Sequence, residues 1–155
     1  MIITATGHRP DKLGGYTLEI RERLRTTARE YLAFEDVSRC VVGMAQGWDQ
    51  AFAYACFDLG IPFTAAIPFV GQERVWPKES RWQYHQLIDR AQHVEIVSPG
   101  GYSPDKMQVR NEWMVDNADK IAALWDGTKG GTANCLQYAR TLRKPINNLW
   151  RDFAP

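Results

Sequence analysis

Cysteine is scarce in this sequence, with three residues, Cys40, Cys56 and Cys135, odd in number and far apart. That count and spacing exclude a disulfide framework and the close ligand pairs of a zinc site, and leave buried free thiols as the expectation. Charge of one sign is missing as well. Nineteen Lys and Arg against eighteen Asp and Glu leave a net charge of +1. No overall basic field is available to hold a long phosphate backbone, which argues against nucleic acid as the partner. No apolar run approaches the ~18 residues that would span a membrane. The opening Met1-Ile2-Ile3-Thr4-Ala5-Thr6 is too short for a signal peptide and lacks its basic flank. No membrane partner, no metal and no cofactor are expected, and the expected location is a reducing cytoplasm.

What is present is an ordinary globular composition, 45% hydrophobic and 24% charged over 155 residues. A chain of that length is most simply one domain, able to bury roughly two-thirds of its unfolded surface. Apolar, β-branched strands are read at Met1 to Thr6, Cys40 to Val42, Ile61 to Ile67, His93 to Val97 and Ile121 to Trp125, with a sixth from Lys144 to Leu149. Between them lie helical periodicities. Thr17 is a plausible N-cap for a helix with Ile20, Leu24, Ala28, Tyr31 and Leu32 on one face. Asp49 opens a second that Gly60 stops, and Glu79 to Ala91, Asp105 to Ala118 and Ala133 to Leu142 complete the set. Strands alternating with helices of this length predict an α/β fold: a Rossmann-like, doubly wound, mostly parallel sheet with helices on both faces. Ligands of such sheets sit beyond the carboxyl ends of the strands, where strand order reverses.

The chemistry-bearing residues fall at those strand ends. Leu124-Trp125-Asp126-Gly127-Thr128-Lys129-Gly130-Gly131-Thr132-Ala133-Asn134 runs from a strand through a glycine-rich turn into a helix. Free N–H groups at such a helix start, the helix dipole and the close approach that glycine permits suit an anion. Gly130, Gly131, Thr132 and Asn134 are candidates here, with Thr132 able to cap the helix or donate its hydroxyl and Lys129 able to supply a full charge. Gly7-His8-Arg9-Pro10 follows the first strand; Arg9 could fork onto a phosphate or carboxylate, and His8 could donate to the same ligand, with no catalytic task assigned. After the second strand come Gly43, Gly47, Trp48 and Asp49. Asp49 is either a plain N-cap or an acceptor for ribose hydroxyls. Trp48 either stacks on a ring or covers the core. Six tryptophans are generous for this length; those in loops, Trp76 among them, suit a nucleobase or a subunit interface equally. Arg110 lies on the inward side of its helix, where an unpaired charge is costly, so it calls for a salt bridge or a bound anion.

The ordered set Gly7-His8-Arg9-Pro10, Gly43 to Asp49, Met107 to Asn111 and Gly130-Gly131-Thr132 resembles the SLOG superfamily, and within it the YpsA-like group, over roughly Ile2 to Ile146. The resemblance implies a single SLOG/Rossmann-like domain over residues 1–155. It also implies a nucleotide-type pocket, with phosphate on Gly130, Gly131 and Thr132 and with Arg110 matching the arginine of the Met-x-x-Arg motif of LOG phosphoribohydrolases. Those hydrolases carry Gly-Thr-x-x-Glu, and the alignment puts Cys135 in the place of the glutamate. A thiol does not replace a carboxylate in handling a proton near neutral pH.

Three readings follow. The first is a non-catalytic binder of a nucleotide-derived small molecule, a sensor or, if it comes from a phage, a sponge for a signalling nucleotide. The second is an N-glycosidic phosphoribohydrolase that draws its carboxylate from Asp49 or Glu112. The third is an interaction protein without a ligand. Homo-oligomers are compatible with all three.

Overall fold

A computed structural model describes residues Met1–Ala154. Six strands, β1 (Ile2–Gly7), β2 (Arg39–Val42), β3 (Phe63–Ile67), β4 (His93–Ile96), β5 (Lys120–Leu124) and β6 (Ile146–Asn148), form one sheet in the order β4-β3-β2-β1-β5-β6. Every neighbouring pair is parallel. The chain lays down β1 to β4 in one direction, then returns to place β5 on the other side of β1. Strand order therefore reverses between β1 and β5.

Six α-helices connect and flank these strands: α1 (Leu18–Ala33), α2 (Trp48–Leu59), α3 (Lys78–Arg90), α4 (Pro104–Asp116), α5 (Gly131–Thr141) and α6 (Trp150–Phe153). Side chains alternate across each strand, and β5 shows how that divides the core. Ala122 and Leu124 join the cluster with Leu24 of α1, Phe52 of α2, Leu87 of α3 and Phe153 of α6. Ile121 and Ala123 join Val115 at the end of α4 and Cys135, Leu136 and Ala139 of α5 on the opposite face. The result is helix, sheet, helix. No helix among the described residues is long and apolar enough to cross a membrane.

The expected elements are all present, with shifts at their ends that have local causes. Thr17 caps α1 as expected, its hydroxyl accepting the Ile20 N–H at 3.3 Å. Gly60 adopts the left-handed conformation (φ +69°) and ends α2. The next N–H, from Ile61, returns to Cys56 O at 2.9 Å, so Ile61 belongs to the helix end and β3 starts only at Phe63. Asp49 is not the N-cap of α2; Gly47 is. Thr132 does not cap α5 either, because Gly130 holds that position and offers no side chain. The short α6 follows β6 directly and carries no periodicity by which four residues could be read as a helix. At the far edge, β4 exposes His93, Val94 and Ile96.

Candidate functional site

A cavity of about 390 Å³ opens where the strand order reverses, beyond the carboxyl ends of β1, β2 and β5 and beneath α4. Its walls come from the β1 end and the loop after it (Thr6 to Arg9, Asp11 and Lys12), from Ala45 and Asp49, from Met107, Arg110 and Asn111 of α4, and from the turn into α5.

Gly47 makes the β1–α2 junction possible. Its φ of +94° is unfavourable for any side chain, and a Cβ there would stand 2.5 Å from His8 O. That contact lets the Trp48 N–H donate to His8 O at 3.2 Å and seats the start of α2 against the β1 loop. Trp48 itself is fully buried beneath Gly7, whose missing Cβ leaves room for the indole, and its Nε1–H donates to Ala122 O at 3.2 Å. It is a core residue and offers no face to the cavity.

Gly43 serves Arg110 in the same way. A Cβ on Gly43 would lie 2.9 Å from the Arg110 Cζ, so the guanidinium rests against bare backbone. Arg110 is 3% exposed. Its Nη1 donates to Gly43 O at 2.6 Å and Ala66 O at 3.3 Å, and its Nε to Asn111 Oδ1 at 2.9 Å. Nη2 has only the Met107 sulfur at 3.9 Å. Among the described residues no carboxylate lies within 4.0 Å of it, so the expected salt bridge is not what holds this charge. Burial lowers its pKa, and the more distant Asp49 carboxylate opposes that.

Asp49 is 6% exposed and lines the cavity, with Oδ2 accepting the Ala45 N–H at 3.3 Å. Burial pushes its pKa up to about 6, against the pull of Arg110, the Ala45 N–H and Arg9. Arg9 is exposed, and its Nη2 stands 4.0 Å from the same Met107 sulfur. The two arginines thus converge on one thioether.

The fourth wall is the α5 entrance. Gly130, Gly131, Thr132 and Ala133 line the cavity, and no side chain caps the helix start. The first N–H of this turn to find an internal partner is that of Asn134, on Gly130 O at 3.0 Å. Lys12 reaches across from a short 3-10 turn (Pro10–Lys12), its Nζ on Thr128 Oγ1 at 2.9 Å and Lys129 O at 2.7 Å. Lys12 lines the cavity, whereas Lys129, expected to supply a full charge, does not and contributes its carbonyl to hold Lys12.

His8 lines the cavity, yet its Nε2 is committed elsewhere: it stands 2.7 Å from Asp126 Oδ1 and 2.9 Å from the Asp126 N. Hydrogen bonds from the Thr128 hydroxyl, the Thr128 N–H and His8 hold the Asp126 carboxyl down at about 2, against the opposing effect of burial.

Of the residues expected at the site, Gly7, His8, Arg9, Asp49, Arg110, Gly130, Gly131 and Thr132 line one cavity. Gly43 and Gly47 shape it from behind. Trp48 is core, Trp76 packs edge-on against Tyr84 at 5.6 Å, and Asn134 is exposed on α5 outside the cavity wall. Glu112 is also outside, accepting from Gln108 Nε2 at 3.1 Å. Asp11 and Lys12 also line the cavity, and nothing in a polar loop announces the 3-10 turn that folds them back; Thr128 joins them from the turn before α5. Cys135 is 1% exposed, and burial raises its thiol to about 11. No group of three His, Cys, Asp or Glu side chains that could hold a metal is found among the described residues.

A parallel sheet of this order with a glycine-rich turn at its switch point defines a Rossmann-like α/β protein. More narrowly, the chain belongs to the YspA SLOG family (YpsA), which matches residues 3–148. It is 33% identical to the uncharacterized SPbeta prophage-derived protein YoqJ of Bacillus subtilis, over 86% of this chain and 87% of that one. The fold is similar to DNA processing protein A from Helicobacter pylori, a structure solved for its single-stranded DNA binding mode (TM-score 0.68, 16% identity, 94% of this chain and 63% of that chain). It is also similar to DNA processing protein A from Streptococcus pneumoniae (TM-score 0.63, 16% identity, 93% of this chain); the chain spans 48% of that protein's length. The molybdenum cofactor carrier protein of Chlamydomonas reinhardtii shares the fold at TM-score 0.59 and 12% identity, over 94% of this chain and 73% of that one.

Proposed function

We propose that this protein binds a nucleotide or nucleotide-derived small molecule at the switch-point cavity and leaves it chemically intact, acting as a sensor or a sequestering protein. The observation that carries the reading is Arg110: a buried guanidinium with no carboxylate within 4.0 Å, opening onto the same cavity as the uncapped start of α5. A buried charge without a counter-ion is costly, and a phosphate between Arg110, Arg9, Lys12 and the α5 N–H groups would relieve that cost. Asp49, in the wall of the same cavity, would accept from ribose hydroxyls.

The test is a thermal-shift screen with linear, cyclic and ADP-ribose-type nucleotides, followed by chromatography of each hit before and after incubation. A ligand that stabilises the fold and returns unchanged supports the reading. Gly131→Asp provides the control. No atom lies within 4 Å of the Gly131 Cβ position, and an acidic residue in a first turn favours the helix. The variant should fold normally and lose at least roughly tenfold in affinity, about 1.4 kcal/mol; retained affinity removes the phosphate-cradle argument.

One observation favours a second reading, an N-glycosidic hydrolase. Asp49, a carboxylate with its pKa near 6, sits in the cavity wall and could work as general acid or base where Cys135 cannot. That reading requires free base to appear in proportion to protein and to disappear in Asp49→Asn.

A further inference from the structure

The cavity described above has one property that does not suit a nucleotide. Its walls contain no Phe, Tyr or Trp. The two tryptophans nominated by the sequence for the base, Trp48 and Trp76, pack into or against the core. A nucleobase seated here would find as an aromatic face only the His8 imidazole, whose ring already packs against Trp150 and whose Nε2 is held at Asp126.

Such faces lie immediately next door. A second cleft, about 430 Å³, is lined by Trp125, Asp126, Gly127, Asn148, Trp150 and Arg151. Both tryptophans are half-buried and both are held in place by Asn148. Asn148 Oδ1 accepts the backbone N–H of Trp125 at 3.1 Å and of Trp150 at 3.2 Å, while its Nδ2 donates to Trp125 O at 2.9 Å. The ring of Trp125 is pinned by Nε1–H on Thr128 O at 2.7 Å, and Arg140, which is outside the cleft wall, lies over the ring at 5.6 Å. The ring of Trp150 meets His8 edge-on at 5.7 Å and Phe153 at 5.5 Å. Two indoles fixed before anything binds cost little further ordering when a planar ring enters.

The two cavities share a partition. His8 lines the first and packs on Trp150 of the second; its partner Asp126 lines the second, and Thr128, bonded to Asp126, lines the first. Gly127, between Asp126 and Thr128 in the chain, lines the second cleft and has no atom within 4 Å of where a Cβ would stand.

Building on the phosphate reading of the first cavity, we infer that the Trp125–Trp150 cleft is the base subsite: the ligand's phosphate lies at α5 and its nucleobase stacks on the indoles beyond Gly127. Arg151 and Asn148 at the rim supply polar contacts to the base edge. Sugar phosphates without a base should therefore bind through the first cavity alone.

Calorimetric titration of the intact chain with ribose 5-phosphate, AMP and ADP-ribose separates the possibilities. The expected result is that a base-bearing ligand binds roughly tenfold or more tighter than ribose 5-phosphate, a gain of the size that base stacking gives. Trp125→Ala should erase that gain, so that AMP and ribose 5-phosphate bind the variant with equal affinity. Because the alanine variant could fail to fold, adenosine is also titrated into wild-type protein, with the indole N–H resonances of Trp125 and Trp150 expected to shift ahead of those of the other tryptophans. Ribose 5-phosphate binding without any gain from a base overturns this inference and leaves the phosphate site standing. A gain that survives Trp125→Ala, or shifts centred on Trp76 or Trp82, places the base elsewhere and overturns it too. No binding by any of the three removes the phosphate reading and this inference together.

Discussion

Asp49 and Arg110 are two buried, oppositely charged groups that do not touch, and burial of the Asp49 carboxyl, only partly offset by Arg110, makes stability depend on pH. With its folded pKa raised to about 6, above an unfolded value near 4, Asp49 takes up a proton more readily in the native state than in the unfolded chain. Its contribution to stability is fully present below about pH 4 and is lost as pH rises through about 6. Melting temperatures recorded from pH 4 to 8 should show this loss, and Asp49→Asn should flatten it; an unchanged profile in the variant would assign the pH dependence to other groups. Arg110→Gln removes the anchoring charge and leaves the Gly43 and Ala66 carbonyls short of a donor. It should lower stability by about 1–3 kcal/mol, the cost of buried groups left unsatisfied, and in the same preparation abolish nucleotide-induced stabilisation. The sequence marks both residues as candidates, because a carboxylate at a strand end and an arginine on an inward helix face are anomalies by type. It does not show that Gly43 lies between them, since that depends on α4 crossing over β2. The tryptophans misled for the complementary reason: an indole in a glycine-rich loop looks available until the fold puts Gly7 on top of it.

At the scale of elements, the strand and helix order was legible because β-branched runs and 3.6-residue periodicities alternate along the chain. Element ends were less so, being decided by single backbone bonds such as Ile61 N–H to Cys56 O. The turn into α5 was readable from its glycines, whereas the 3-10 turn that brings Lys12 over it was not. Gly47 tests how much of the site depends on one junction. Gly47→Ala forces a side chain into φ +94° and to 2.5 Å from His8 O. A cost of roughly 1–3 kcal/mol is expected from the strained backbone, with more from the clash. Chemical denaturation should show that loss, and ligand affinity should fall with it because the β1 loop carries His8, Arg9 and Lys12. Loss of affinity without loss of stability would mean that Gly47 contacts the ligand directly.

For the molecule as a whole, the order β4-β3-β2-β1-β5-β6 means that β1 spends most of the chain's length with one edge open. It pairs with β2 some 37 residues downstream, but its other neighbour begins at Lys120, so Ile3 must wait for the far half of the chain. Pairings so distant in sequence are slow to form because loop closure precedes any reward from contacts. Both cavities depend on that last pairing, as each takes wall residues from the segment after β5. A chain still emerging from synthesis, or refolding from denaturant, would hold its first four strands before it could hold a ligand. In stopped-flow refolding, nucleotide capture should therefore lag the recovery of far-ultraviolet circular dichroism. Under the proposed reading, ligand occupancy would then count only finished molecules.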